Sequence, residues 1–105
     1  MTDKIVVLST CETAEEADRI ATALVENRLA ACVNIVPQIQ SVYRWKDKIE
    51  HETEWLLIIK TKTNLFESVA DAIKELHSYE LPECVMLEVD SGSERYLNWI
   101  RENTR

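Results

Sequence analysis

The most regular feature of the sequence is a pair of long segments in which apolar and polar residues alternate. Between residues 33 and 45, apolar residues occupy most odd positions, and this period of two is typical of a β-strand. A second segment starts with alternation near Ile49 and becomes apolar on both faces from Trp55 to Ile59. Such a run is normally covered on both sides. The pattern predicts a long β-hairpin over residues 31–62.

The same pattern predicts how the two strands pair. Directly opposite residues share a face, so apolar odd positions of the first strand should face odd positions of the second. A three-residue connection, Lys46 to Lys48, meets this condition. The predicted pairs are Trp45 with Ile49, Tyr43 with His51, Ile39 with Trp55, and Arg44 with Glu50. A β-bulge at Pro37 and Gln38 would shift the pairs that lie farther from the tip than Ile39. The prediction therefore covers only the part of the hairpin that runs from Ile39 around the tip to Trp55.

The predicted hairpin is longer than the domain that carries it. Thirteen residues of strand span roughly 43 Å, whereas a globule of this length is roughly 33 Å across. The tip, with Tyr43, Trp45 and Ile49, should therefore project, and an exposed aromatic edge either aggregates or docks on a partner. We interpret the hairpin as an oligomerisation arm. A bent or bulged hairpin wrapped on its own core is the alternative.

Shorter segments on either side supply the remaining elements. They are a strand at Lys4–Thr10, a helix that starts with a capping box at Thr13–Glu16, a helix with an apolar stripe from Phe66 to His77, a strand at Cys84–Val89, and a closing helix around Tyr96–Ile100. The order βαββαβ followed by a helix predicts an α+β, ferredoxin-like sandwich with one four-stranded antiparallel sheet. A chain of 105 residues should form one domain, residues 1–105.

Charge and composition exclude several classes of function. Nineteen acidic residues against 12 basic ones give a net charge of −7, and no basic cluster is present, so nucleic acid is not an expected partner. The single glycine, Gly92, excludes glycine-rich phosphate loops and a serine nucleophile elbow. No set of acid, base and nucleophile can be assembled from the motifs. We therefore expect a protein that is not an enzyme.

The start of the chain and the spacing of the cysteines indicate where in the cell the protein is expected. Only four consecutive apolar residues, Ile5–Leu8, follow the first four residues, too few for a signal peptide or a membrane span. The sequence therefore predicts a cytoplasmic protein without membrane contact. Cys11, Cys32 and Cys84 are odd in number and widely spaced, which suits reduced thiols and gives no C-x-x-C zinc motif.

Several separate motifs occur along the chain in a fixed order. They are Ala30-Ala-Cys-Val-Asn-Ile-Val-Pro37, Tyr43-Arg-Trp45, Lys48-Ile-Glu50, Ile59-Lys-Thr61, His77-x-Tyr-Glu-x-Pro-Glu83 and Tyr96-Leu-x-Trp99. With these motifs the chain resembles the CutA divalent-ion tolerance proteins from its first strand to its end. The resemblance implies a ferredoxin-like protomer, a homotrimer held by the long hairpin, a link to copper and other divalent cations, no established enzymatic activity, and a shape similar to that of PII signalling proteins.

The chain departs from the family pattern at positions that matter for metal binding. Some bacterial members have a metal-binding thiol where this chain has Ser9, and an extra histidine where it has Leu76. Of the copper ligands of those members, only His77 is present in this chain. Cys11 would share a strand face with Ser9 if the strand extends that far, and it could replace the missing thiol. The family also has glycine where this chain has Gln38 and Asp47.

Cys11 and His77 are therefore the candidate metal ligands. We place Cys11 on the loop after the first strand, where it is a better reactive or ligating thiol than Cys32 or Cys84, because cysteine at strands is usually a buried apolar residue. His77 lies at the end of the second helix, so an interaction of its imidazolium with the helix dipole is the structural alternative. Glu50, Glu52 and Glu54 are interpreted as a solvated or ion-paired strand face.

Two functions remain open at this point. The first is a homotrimeric, non-enzymatic metal-response or divalent-cation tolerance protein that binds copper(II) or another divalent cation weakly through Cys11 and His77. The alternative is a trimeric, PII-like scaffold that holds a small ligand or a protein partner in clefts between protomers.

Overall fold

The computed structural model describes all 105 residues, and it confirms the predicted α+β, ferredoxin-like order with an extra C-terminal helix. The elements are β1 (Lys4–Cys11), α1 (Ala14–Glu26), β2 (Cys32–Trp45), β3 (Lys48–Lys62), α2 (Phe66–Leu76), β4 (Val85–Glu88) and α3 (Glu94–Glu102). The strands form one antiparallel sheet in the order β2-β3-β1-β4. None of the helices is both long enough and apolar enough to cross a membrane.

The hydrophobic core lies between one face of this sheet and helices α1 and α2. Residues of β1 and β3 alternate so that Ile5 and Val7 point into the core beside Leu57 and Ile59. The apolar stripes of the helices meet them with Ala17, Ile20, Leu24, Val69 and Ile73. Full burial of one such aliphatic side chain stabilises the fold by about 1.5–3 kcal/mol. The core thereby holds β1 and the start of α1 in place, and both carry candidate functional residues.

The opposite face of the sheet, called the open face below, is apolar but has little cover. On the two central strands Val6, Leu8, Leu56 and Ile58 are half-buried. At the edges Val36, Val85 and Leu87 are exposed. Helix α3 reaches only its border, where Lys60 Nζ lies 5.8 Å from the centre of the Tyr96 ring. The open face is thus an apolar surface that no helix buries.

The long hairpin makes the molecule elongated. Strands β2 and β3 contain 14 and 15 residues, and the protein measures 44 × 25 × 22 Å. Near the tip, Val42 and Ile49 are 64% and 54% exposed. The hairpin therefore projects from the core as an arm with apolar side chains in solvent.

The predicted pairing of the hairpin is wrong between Ile39 and the tip. Tyr43 lies opposite Glu50, and Ile39 lies opposite Glu54, so Tyr43 and His51 point to opposite faces. The cause is a two-residue turn at Lys46 and Asp47, with φ of 50° and 66°. Positive φ at both central residues is typical of a type I′ turn, the connection that suits the twist of a hairpin.

A β-bulge compensates for this turn at the base of the hairpin. Residues 37 and 38 together face the single Trp55, and Gln38 has a φ of 55°. The extra residue changes which face the later part of β2 presents. On the core side of the bulge Ile35 pairs with Leu57, so the apolar residues of both strands still share a face. The bulge lies where Pro37 and Gln38 indicated it, whereas the loop length was predicted incorrectly.

Candidate metal centre

Cys11 is the last residue of β1 and not a loop residue as predicted. The strand extends far enough for Ser9 and Cys11 to share the core face, and both are completely buried. Burial, with a smaller effect of the negative charge of Glu16, raises the pKa of the Cys11 thiol to about 12. The thiolate is the form of cysteine that reacts and binds metals, so burial makes this form of Cys11 costly.

His77 follows α2 directly, and its imidazole side chain is completely buried. Nε2 donates a hydrogen bond of 2.6 Å to the carbonyl oxygen of Thr10, and Nδ1 accepts one of 3.0 Å from the backbone N–H of Tyr79. A carbonyl can only accept, so the proton is on Nε2 and the lone pair is on Nδ1. The ring thus joins β1 to the segment after α2, and neither of its nitrogens bonds to a carbonyl at the end of α2.

Glu16 was predicted to cap the start of α1, but its carboxylate has a different partner. The capping box is half present, since Thr13 Oγ1 accepts from the backbone N–H of Glu16 at 3.1 Å. The Glu16 carboxylate does not return to the Thr13 amide. Its Oε2 instead accepts a 2.8 Å hydrogen bond from the backbone N–H of Ser78, while Oε1 is buried without a partner. The spacing of Glu16 and Ile20, four residues apart on the buried stripe of α1, was the available signal.

These three side chains converge. One donor atom each from Cys11, Glu16 and His77 lies within 4.8 Å of the other two, and His77 Nδ1 is 3.9 Å from Glu16 Oε1. Thiolate and imidazole suit copper, zinc and related ions, and a carboxylate adds a negative charge. A buried carboxylate oxygen without a partner is costly, and a bound cation would satisfy it. The residues present therefore fit a divalent metal ion.

Ser9 and Leu76, where the resemblance implied a thiol and a histidine in some bacterial members, have other roles here. Ser9 Oγ is completely buried and has no hydrogen-bond partner. Leu76 packs against the hydrophobic core. Neither side chain supplies the thiol or the imidazole that the resemblance implied at these positions. The convergent group consists instead of the two predicted residues and Glu16.

An open groove of about 940 Å³ lies beside this group, between the arm and the segment from Ser78 to Val85. Its lining includes three aromatic residues, Tyr43, Trp45 and Tyr79, and four carboxylates, Glu12, Glu54, Glu80 and Glu83. Burial and a hydrogen bond to Glu54 raise the pKa of the Tyr79 hydroxyl well above its usual range. The groove is therefore acidic and aromatic, and Tyr79 lies between it and the candidate metal centre.

Comparison with known sequences places the chain in a family. Residues 5–103 match the family described as "CutA1 divalent ion tolerance protein". The "Divalent-cation tolerance protein CutA" of Thermus thermophilus is 50% identical over 99 residues, which are 94% of this chain and 96% of that protein. "Protein CutA" of Homo sapiens is 46% identical over 95 residues, which are 90% of this chain and 53% of the human protein. The chain therefore spans about half the length of that human relative.

Solved structures agree with this assignment. The divalent cation tolerance protein of Thermus thermophilus has a TM-score of 0.95 at 48% identity, covering 97% of this chain and 99% of that one. CutA from Xylella fastidiosa has a TM-score of 0.96 at 38% identity, covering 99% and 100%. Since a family match over nearly the whole sequence and two structures of the same fold coincide, this chain belongs to the CutA1 divalent ion tolerance family.

Proposed function

We propose that this protein is a non-enzymatic, homotrimeric divalent-cation tolerance or metal-response protein that binds copper(II), or a similar divalent cation, through Cys11 and His77. The observation that carries the proposal is the convergence of these two side chains in a buried group with an unpaired carboxylate oxygen. Membership of a family described as divalent ion tolerance proteins supports the same function. The cytoplasmic location remains a prediction.

Binding of the cation is expected to be weak. The Cys11 thiol must lose a proton that burial holds strongly, and His77 Nδ1 must give up its hydrogen bond to the Tyr79 amide. Both changes are costs that binding has to overcome, because metal ligands must be deprotonated and free. Two deprotonated or neutral donors of borderline to soft character favour copper(II) over calcium or magnesium.

A calorimetric titration with copper(II) under anaerobic conditions tests the metal part of this proposal. The wild type should release or take up heat with saturable stoichiometry, and the Cys11→Ala/His77→Ala double variant should not. A Cys32→Ala/His51→Ala variant is the matched control, since it removes the same residue types from strands β2 and β3, away from the centre. No copper-dependent heat in the wild type, or an equal response of both double variants, would refute the proposal.

The homotrimer is supported by two apolar surfaces that the protomer leaves uncovered. The open face of the sheet exposes Val36, Val85 and Leu87, and the arm exposes Val42 and Ile49. Contiguous apolar surface of this kind is characteristic of an interface between subunits. The number three comes from the family resemblance, and the projecting hairpin supports assembly as such. Sedimentation equilibrium at micromolar concentration should give three times the mass of the 12.2 kDa chain, and a monomer would refute the trimer.

The groove favours a second candidate function, that of a PII-like scaffold. Its aromatic and acidic lining suits a cationic small molecule or a basic segment of a protein partner, bound in a cleft that a neighbouring protomer would help to close. Thermal unfolding in the presence of a panel of cationic and anionic metabolites tests it. Stabilisation by a cationic compound that Glu80→Gln/Glu83→Gln abolishes would support this function. Equal stabilisation of the double variant would contradict it.

A further inference from the structure

On the basis of the metal function proposed above, we propose that Glu16 is the third ligand of the centre and that metal binding releases the segment Ser78–Tyr79 from the hydrogen bonds of its two backbone amides. The centre would then consist of Cys11 Sγ, Glu16 Oε1 and His77 Nδ1. Occupation of the centre would also alter the groove, because Ser78 and Tyr79 form part of its lining.

The state of Glu16 identifies it as a ligand. Its side chain is only 6% exposed, yet Oε1 has no hydrogen-bond partner. Arg19 is the nearest cation, but it is 57% exposed and lies 3.7 Å from the other oxygen, Oε2. Oε1 faces His77 Nδ1 at 3.9 Å and belongs to the group that includes Cys11. A buried, unpaired and acceptor-only oxygen that faces an imidazole and a thiol is suited to receive a cation.

The hydrogen bonds of His77 indicate which ring nitrogen binds. Histidines that ligate a metal typically donate their other N–H to a backbone carbonyl or a carboxylate, which fixes the tautomer and the orientation of the ring. Nε2 already makes this bond, to the Thr10 carbonyl at 2.6 Å. Nδ1 therefore carries the lone pair and faces Glu16. This tautomer is the one that can bind a metal through Nδ1 once the Tyr79 amide has left it.

The release of the segment follows from the partners of two backbone amides. The N–H of Tyr79 donates to His77 Nδ1 at 3.0 Å, and the N–H of Ser78 donates to Glu16 Oε2 at 2.8 Å. Coordination through Nδ1 removes the acceptor of the Tyr79 amide, since its lone pair cannot serve both. Movement of the Glu16 carboxylate toward the same centre weakens the Ser78 bond. Two adjacent amides thus lose their acceptors when the centre fills.

A cobalt(II) titration tests the role of Glu16, because thiolate coordination to cobalt(II) gives a charge-transfer band in the near ultraviolet. Glu16→Gln keeps an oxygen that can accept from the Ser78 amide but removes the carboxylate. We expect at least tenfold weaker binding. Glu12→Gln is the matched control, since Glu12 is an exposed carboxylate that accepts from the Ser78 hydroxyl at 3.2 Å. It should bind within twofold of the wild type.

The possible results separate this inference from the proposed function. Wild-type protein without a thiolate band overturns both. A band that depends on Cys11 and His77 but has the same affinity in Glu16→Gln overturns the role of Glu16 alone. Nitrogen-15 spectra of the wild type with zinc(II) provide a measurement that needs no variant. The Nδ1 resonance of His77 should shift and that of Nε2 should keep its protonated position, whereas the reverse pattern overturns the assignment.

Amide hydrogen exchange tests the release of the segment. With saturating zinc(II), exchange at Ser78 and Tyr79 should become at least tenfold faster in the wild type and in Glu12→Gln. The amide of His77, which donates to the Ile73 carbonyl within α2, serves as an internal reference and should not change. Unchanged exchange at both positions in metal-saturated protein would overturn the release while leaving the ligand assignment intact.

Discussion

The hydroxyl of Tyr79 donates a 2.7 Å hydrogen bond to Oε2 of Glu54, which connects the segment after α2 to strand β3. Glu54 is only 5% exposed, so this hydroxyl is an important partner for its carboxylate. The Tyr79 ring also packs on His77, with 4.6 Å between ring centres. One side chain therefore contacts both the candidate metal centre and the wall of the groove.

Removal of that hydroxyl should destabilise the protein. In Tyr79→Phe the buried Glu54 carboxylate loses its donor, and we expect the free energy of unfolding to fall by about 1–3 kcal/mol. Tyr43→Phe is the control, because Tyr43 lies on the exposed arm and its substitution should cost less than about 0.5 kcal/mol. Denaturant unfolding at one fixed protein concentration measures both. Equal losses for the two variants would contradict this prediction.

Stability should decrease in alkaline solution because of Cys11. Burial raises the folded-state pKa of this thiol from 9.0 to about 12. A raised pKa means that the folded state keeps its proton where the unfolded state loses it, so this contribution is present below pH 9 and declines as pH rises from about 9 to 12. Burial also raises the pKa of the Cys84 thiol, and this shift changes stability with pH in the same direction.

The melting temperature between pH 8 and pH 10.5 provides the measurement. The wild type should lose stability over this range, and Cys11→Ala should show a shallower decline, whatever its stability at pH 8. Cys32→Ala is the control, since it also lacks one thiol. A slope in Cys11→Ala as steep as that of the wild type would show that the buried thiol is not responsible.

Asp47→Gly should be neutral or stabilising. Asp47 has a φ of 66° in the turn of the hairpin, a conformation that glycine adopts without steric cost. A gain of up to about 1 kcal/mol is expected. Asp18→Gly in α1 makes the same chemical change at a helical position, where glycine should lower stability by about 0.3 kcal/mol. Thermal unfolding of both variants checks the sign, and a loss in Asp47→Gly would refute the prediction.

A charge on the open face should weaken assembly. Val85 lies on edge strand β4 opposite Leu8 and is 49% exposed in the protomer. A lysine there would have to be desolvated in an interface, so Val85→Lys should shift the protein toward smaller species. Val25→Lys is the matched control, because Val25 is 42% exposed on α1, on the other side of the sheet. Light scattering at micromolar concentration should separate the two, and the same mass for both would contradict the open face as an interface.

Most of the architecture was predictable because its signals are local. A period of two along residues 33–45 and the apolar stripes of the helices reflect the geometry of single elements, and the order of those elements restricts the fold to the ferredoxin-like arrangement. The presence of a bulge near Pro37 was also predictable, because proline cannot donate in a strand. Cys11 and His77 were found through their residue types and the family resemblance.

The remaining features depend on contacts between residues that are far apart in the chain. The pairing of the arm required both the two-residue turn at Lys46 and Asp47 and the bulge that offsets it, and neither strand pattern alone distinguishes that combination. Cys11 was mistaken for a loop residue because the end of a strand depends on its neighbours in the sheet. Glu16 has an ordinary helix-capping signature, and its carboxylate meets the Ser78 amide 62 residues later in the chain. Such a hydrogen bond exists only after α1, β1 and the end of α2 have packed together, because burial removes the water that would otherwise satisfy the carboxylate.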